Sequence, residues 1–288
     1  MGATQRWRLD VAYRGTEFHG FARQPGLRTV GGELSEALAR TARLEEPPMI
    51  VCAGRTDAGV HATAQVIHVD LPHPLPEGNH GPVEGPDLVR ALNRQLGEDV
   101  SVLDATPVST SFDARHSAIW RRYRYLIFES AVPDPLLAGL AWQVPGPLDA
   151  RSMAQAVGVF LGSHDFRAFC RKAPGTTGAE PITRMVTDAS VEVVDTQGAL
   201  DLVGGRLLRF EIQAGAFCHQ MVRSLTAAVV EVGRGRSNAA ELLALLRSGS
   251  REGAPQPAPP EGLCLIGVGY PDTAGEEPPG LPAGGQTP

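Results

Sequence analysis

Lysine is almost missing from this chain of 288 residues: of its 26 basic residues only Lys172 is lysine, and the others are arginine. Arginine suits bidentate phosphate contact and stacking on bases, but a GC-rich genome leaves the same bias, so the count does not separate the two. A positive balance is missing as well. The formal net charge is −6 and the isoelectric point is near 5.8, which excludes the overall basic footprint of a protein that coats nucleic acid. A local patch is still allowed. Asp272, Glu276 and Glu277 lie beyond Tyr270 with no base among them, whereas Arg115, Arg121, Arg122 and Arg124 form a basic run without an acid.

Other absences narrow the class further. No window approaches the 18 or so apolar residues of a membrane span. The opening residues, Met1 to Arg6, lead into a strand pattern without a signal-peptide core, so a cytoplasmic protein is expected. The four cysteines (Cys52, Cys170, Cys218, Cys264) are scattered, with no Cys-x-x-Cys pair and no histidine at ligand spacing. All four are read as reduced core residues. His68, His73 and His80 have no carboxylate or cysteine at matching spacing and read as strand and solvated loop, so no metal is expected.

What is present is enough apolar material for a substantial core, with 42% hydrophobic residues. Residues 6–13 alternate as a strand, 31–44 read as a helix around Leu34 and Leu38, and 49–55 and 63–70 read as two strands joined by a turn. A helix over 87–96, announced by Pro86 and Asp87, and a strand over 99–109 complete a β-α-β-β-α-β order. The order repeats as strand 118–129, helix 149–161, strands 182–195 and 206–214, helix 217–232 and strand 263–269, with an extra helix over 238–247. The fold class is therefore α+β. Two such halves, 1–110 and 111–270, form a mainly antiparallel sheet with helices on one face and a central cleft. The Pro/Gly-rich stretch 271–288 cannot bury enough apolar surface to order itself. Residues 72–86 and 171–181 are long connections whose length does not say whether they are functional or insertions.

The densest chemical signal is Gly54-Arg55-Thr56-Asp57-Ala58-Gly59-Val60-His61, which sets one carboxylate beside an arginine, between two glycines, at the end of a strand-like run. Asp-Ala-Gly is ordinary turn chemistry. The flanking glycines also allow a sharp turn and close ligand approach, which is how a reactive side chain is displayed.

Extended through Ala62 to Gln65, the octapeptide resembles the signature of the TruA family of tRNA pseudouridine synthases, in which the aspartate is the essential catalytic residue. Further stretches match in the same order: Tyr13-Arg14-Gly15-Thr16, Phe18-His19-Gly20, Ala91-Leu92-Asn93, Phe112-Asp113-Ala114-Arg115 and Arg121-Arg122-Tyr123-Arg124-Tyr125. Gly162 to Phe166, Met221-Val222-Arg223, Gly233-Arg234-Gly235 and Gly262-Leu263 follow, so the resemblance runs over residues 6–270. The chain departs from the family pattern at Arg14, Phe21, Ala22, Gly31 and Ser224, positions that bear on RNA contacts and not on the reacting groups.

The resemblance implies isomerisation of uridine to pseudouridine in the anticodon arm of tRNA, conventionally positions 38, 39 and 40, by a homodimer whose cleft spans both subunits. The reaction breaks the C1′–N1 bond, turns the uracil and rejoins it through C5, without redox change, so no cofactor is needed. It needs an ionised carboxylate, assigned to Asp57, and a pocket that retains the detached base. An ionised aspartate out of water needs a cation. Arg223 lies early in an apolar helix. The family pairs the matching arginine with the aspartate; on the residues alone, Arg223 snorkels to solvent from the helix start or pairs with another acid. Strand alternation puts Arg121, Tyr123 and Tyr125 on one face. Tyr123 matches the tyrosine that stacks on the extruded base and helps move its C5 proton, though a strand tyrosine is also an ordinary core residue. Arg55 matches a residue that displaces the target nucleotide, and Leu263 an apolar residue beside the base. Arg121, in the basic run, is taken as a further RNA contact. Two rival classes are an RNA-binding protein with a dead site and a hydrolase with paired carboxylates, for which Asp165 is the available second acid.

Overall fold

The computed structural model describes residues 3–76, 83–171, 180–196, 202 and 204–271. Alternation in the opening segment makes β1 (Thr4–Tyr13), whose Trp7, Leu9, Val11 and Tyr13 are buried while the residues between them are half-exposed. Helix α1 (Val30–Ala42) starts where the Thr29 hydroxyl accepts the Gly32 N–H at 3.2 Å, and it buries Val30, Leu34 and Leu38 along one stripe. β2 (Ile50–Cys52), β3 (His61–Pro72), α2 (Gly85–Asn93) and β4 (Val100–Val108) follow. The Asn93 carboxamide bonds both the N–H and the C=O of Val102 at 2.8 Å, tying the end of α2 to β4.

Next come β5 (Trp120–Glu129), β6 (Trp142–Val144), α3 (Ala150–Ala156), β7 (Gly162–Asp165), β8 (Thr183–Val194) and β9 (Arg206–Ala214). Helix α4 (Met221–Gly233), helix α5 (Ala239–Ser248) and β10 (Leu263–Gly269) complete the order. The fold is α+β, with a mixed, mostly antiparallel sheet and five α-helices among the described residues. The main strand path is β4-β1-β3-β10-β5-β9-β8-β7, with β2 added beside β3 and β6 beside β5. Among the described strands only the β3–β10 and β5–β6 pairs are parallel.

Side-chain parity sorts the two faces of the sheet. Trp7, Leu9, Ile67, Tyr123, Tyr125, Phe210 and Ile212 join buried residues of all five helices in one large cluster. Two small clusters, around Ala114 and Tyr270 and around Phe128 and Leu137, lie apart from it under loop segments. None of the described helices is long and apolar enough to cross a membrane.

Several expectations are corrected. Helix α4 begins at Met221 and not at Phe217, because Gln220 takes a left-handed conformation (φ 61°) that breaks the helix path. Asp165 ends the short strand β7, which follows directly on the helical segment that closes at Phe160. Cys170 and Cys218 are not free thiols: they are disulfide-linked, their Cα atoms 5.7 Å apart, and only Cys52 and Cys264 are free and buried. His80, Lys172 and the expected disordered tail from Asp272 onward lie outside the described residues.

Candidate active site

The loop between β2 and β3 carries Asp57, and its shape is held by several elements. The Val60 N–H bonds the Asp57 carbonyl at 3.2 Å, closing the turn. Gly59 has φ +80°, and a Cβ there would stand 2.8 Å from the Pro260 ring, so both backbone conformation and space require glycine. From β3, Gln65 donates to the Gly54 carbonyl at 2.7 Å and to the Tyr13 hydroxyl, which meets the Thr56 hydroxyl at 2.8 Å. The Phe21 N–H bonds the Thr56 carbonyl and the Gly59 N–H the Phe18 carbonyl. His61 braces the far end of the loop: Nδ1 accepts the Gly15 N–H at 3.0 Å, which leaves Nε2 to donate to the Glu261 carbonyl at 3.0 Å. Burial holds this imidazole below its ordinary pKa, in keeping with a neutral ring in that role.

The carboxylate of Asp57 is 28% exposed, hydrogen-bonded at one oxygen and approached by a ring nitrogen at the other. Arg223 Nη1 lies 3.3 Å from Oδ2 and His219 Nε2 lies 3.4 Å from Oδ1. Arg223, on the first turn of α4, is itself fixed, because its Nε donates to the Ala258 carbonyl at 2.7 Å while the Ala258 N–H returns a bond to the Arg223 carbonyl. A guanidinium divided between a carboxylate and a carbonyl is a rigid cation, and the structure therefore pairs the two groups that sequence reasoning set 166 residues apart.

Tyr123 is buried on β5, with its ring edge-on to Phe217 at 5.1 Å. Its hydroxyl reaches the loop, standing 3.5 Å from where a Cβ on Gly54 would be. Desolvation pushes its pKa well above the ordinary phenol value, so the group is a neutral hydroxyl at physiological pH. Leu263 pairs with Tyr125, and Leu265 with Tyr123, so Leu263 lies on the same face of the sheet as the tyrosine and is buried. Arg55 is exposed, two residues before Asp57.

Arg121, expected among the RNA contacts, is instead turned inward. It is 8% exposed. Two of its donors meet the Ala53 carbonyl, and the others meet the carbonyls of Ala118, Gly215 and Arg115. Those bonds use all five N–H groups of a guanidinium. Desolvation lowers its pKa, as befits a cation enclosed by carbonyl dipoles. Its function is to tie the strand before the Asp57 loop to β5 and to the end of β9. Asp165 is also engaged: it accepts the Ile182 N–H at 2.9 Å and the Arg167 N–H and guanidinium. Burial opposes its ionisation, but these bonds prevail and hold its pKa below the ordinary carboxylate range. Its carboxylate braces the turn at Arg167 and the segment at Ile182. Among the described residues no three or more His, Cys, Asp and Glu are arranged to hold a metal ion.

His219, Phe217 and Gln220 are the site residues that sequence reasoning missed. The available signal was their position directly before Met221-Val222-Arg223, in a stretch that reads as continuous helix.

The chain is 43% identical to tRNA pseudouridine synthase A of Leifsonia xyli over 277 residues, covering 92% of each chain. It belongs to the tRNA pseudouridine synthase family. The tRNA pseudouridine synthase A of Frankia casuarinae is 42% identical over 269 residues, with 92% of this chain and 89% of the relative covered. The one from Cutibacterium acnes is 41% identical over 268 residues, covering 92% and 89%. A family model described as tRNA pseudouridine synthase matches residues 156–271, the segment that carries His219, Arg223 and Leu263. Among solved structures, an unknown protein from Galdieria sulphuraria aligns at 13% identity over 81% of this chain and 94% of its own, with a TM-score of 0.21. As a member of the family, the chain is an isomerase that converts uridine to pseudouridine in tRNA.

Proposed function

We propose that this synthase acts on uridines 38, 39 and 40 in the anticodon arm, with Asp57 as its catalytic carboxylate. The observation that supports the reading best is the setting of Asp57: partly exposed on a braced loop, with Arg223 at one oxygen and a neutral tyrosine on β5, one strand beyond β3. An arginine at 3.3 Å sets a fixed positive charge against the carboxylate. The carboxylate is the nucleophile or base that opens the C1′–N1 bond. The uracil turns, C5 joins C1′, the C5 proton leaves and N1 gains one, so the product is an isomer. Tyr123 supplies a hydroxyl for the C5 proton and a ring face for the base. Leu263 supplies an apolar wall, and Arg55 an exposed cation for the displaced strand.

The target bases lie in or beside a stem, so extrusion costs a few kcal/mol, offset by phosphate contacts and stacking in the pocket. We assign the cleft to the junction of two β-α-β-β-α-β halves, 1–110 bringing Asp57 and 111–270 bringing Tyr123 and Arg223. A homodimer in the cytoplasm, holding the tRNA body while the arm shifts, accounts for action at adjacent positions. The test is release of tritium from tRNA transcripts labelled at uridine C5, followed by mapping of the product. Release by wild type and not by Asp57→Ala, mapped to the anticodon arm, is the expected result. Wild-type release at other positions would refute the proposed target, and full release by Asp57→Ala would refute the proposed residue.

A further inference from the structure

We infer that His219 is a positioning residue that fixes the rotation of the Asp57 carboxylate, an inference that rests on Asp57 being the catalytic group. Arg223 touches only Oδ2. One contact sets where a carboxylate sits but leaves its terminal torsion, which is broad and nearly two-fold, free to turn. His219 Nε2, at 3.4 Å from Oδ1, supplies the second contact on the other oxygen. With both in place the plane of the carboxylate is set, and the orientation of its reactive lone pairs is set with it.

The ring is not there for packing, since its side chain is 48% exposed. Its backbone, by contrast, is fixed on every side. The Arg171 N–H donates to the His219 carbonyl at 2.9 Å. The preceding residue, Cys218, is linked to Cys170. The following residue, Gln220, is held in the left-handed region at φ 61°, a conformation costly for a residue with a side chain and retained where surrounding structure enforces it. Phe217, at the start of the same segment, packs edge-on against Tyr123. Within one short segment Phe217 thus addresses the tyrosine and His219 the carboxylate, and the corner at Gln220 is what lets His219 and Arg223 reach Asp57 from different elements.

The experiment measures kcat and KM for C5-tritiated tRNA with wild type, His219→Ala, His219→Gln and Asp57→Ala, with melting temperature as a check on folding. A misaligned reacting group costs up to roughly 100-fold, so His219→Ala should lower kcat by about 10- to 100-fold with KM little changed. Glutamine places an N–H donor near the Nε2 position, and His219→Gln should recover most of the loss. Wild-type kcat in His219→Ala, a change confined to KM, or no recovery in His219→Gln would each overturn the inference. If Asp57→Ala is inactive in the same series, the reading of Asp57 survives that outcome; if Asp57→Ala keeps the wild-type rate, that reading fails first.

Discussion

Replacing Arg121 by lysine separates a strut from an RNA contact. Five guanidinium N–H groups reach four carbonyls, those of Ala53, Ala118, Gly215 and Arg115. A lysine ammonium has three donors and no planar fork, so it leaves at least one carbonyl, and on geometric grounds two, without a partner. Each buried polar group so stranded costs about 1–3 kcal/mol, giving about 2–6 kcal/mol in all. For a chain of this size that lowers the melting temperature by roughly 5–20 °C. Because Ala53 leads directly into the Asp57 loop, kcat should fall together with stability. Affinity for tRNA, and its dependence on salt, should stay as in wild type. Calorimetry, steady-state tritium release and tRNA binding at several salt concentrations check the three parts. A variant that melts like wild type but binds tRNA more weakly, with a salt slope reduced by about 1, would refute the strut and restore Arg121 to the phosphate contacts.

Three further outcomes follow from the same geometry. His61 and His68 both have pKa values depressed by burial from the ordinary 6.5, so below that pH the unfolded chain takes up protons that the folded chain refuses, and stability should fall as pH drops from about 6.5. Melting temperature against pH checks this, and a flat profile between pH 7 and 5 would contradict it. Gly59→Ala meets both a positive φ and the Pro260 ring, so it should cost at least about 1–2 kcal/mol and lower kcat; an unchanged melting curve would count against the loop geometry. Protein held under oxidising conditions should show two reactive thiols when denatured, Cys52 and Cys264. Closing a span of 48 residues contributes up to about 4 kcal/mol, so reduction should lower the melting temperature, whereas four reactive thiols would rule out the Cys170–Cys218 link.

Much of the architecture was legible because burial follows period. Residues 7, 9, 11 and 13 of β1 and 121, 123, 125 and 127 of β5 are buried while most of those between them are not, and α1 carries an uninterrupted stripe, so residue type alone placed them. β6 and β7, with three and four residues, are too short to express a period. The late start of α4 was hidden for another reason: the break falls at Gln220, with no glycine or proline to mark it. Asp57 was conspicuous because its turn glycines surround it. Its partners were not, because Arg223 and His219 reach it across more than 160 residues and no spacing rule spans such a gap; family resemblance supplied the arginine and nothing supplied the histidine. Arg121 misled because an arginine in a basic strand reads as surface, whereas only the fold reveals carbonyls converging on it.

The position of β10 has a consequence for how activity arises on a growing chain. Leu263–Gly269 lies between β3 and β5, so the strands bearing the Asp57 loop and Tyr123 become neighbours in one sheet only through it. Pairings that close over such long stretches of chain form late. A chain cut short before residue 263 would carry every proposed reacting group yet lack the strand that joins their two parts of the sheet, leaving side-chain ties such as Arg121 to Ala53 to hold them together.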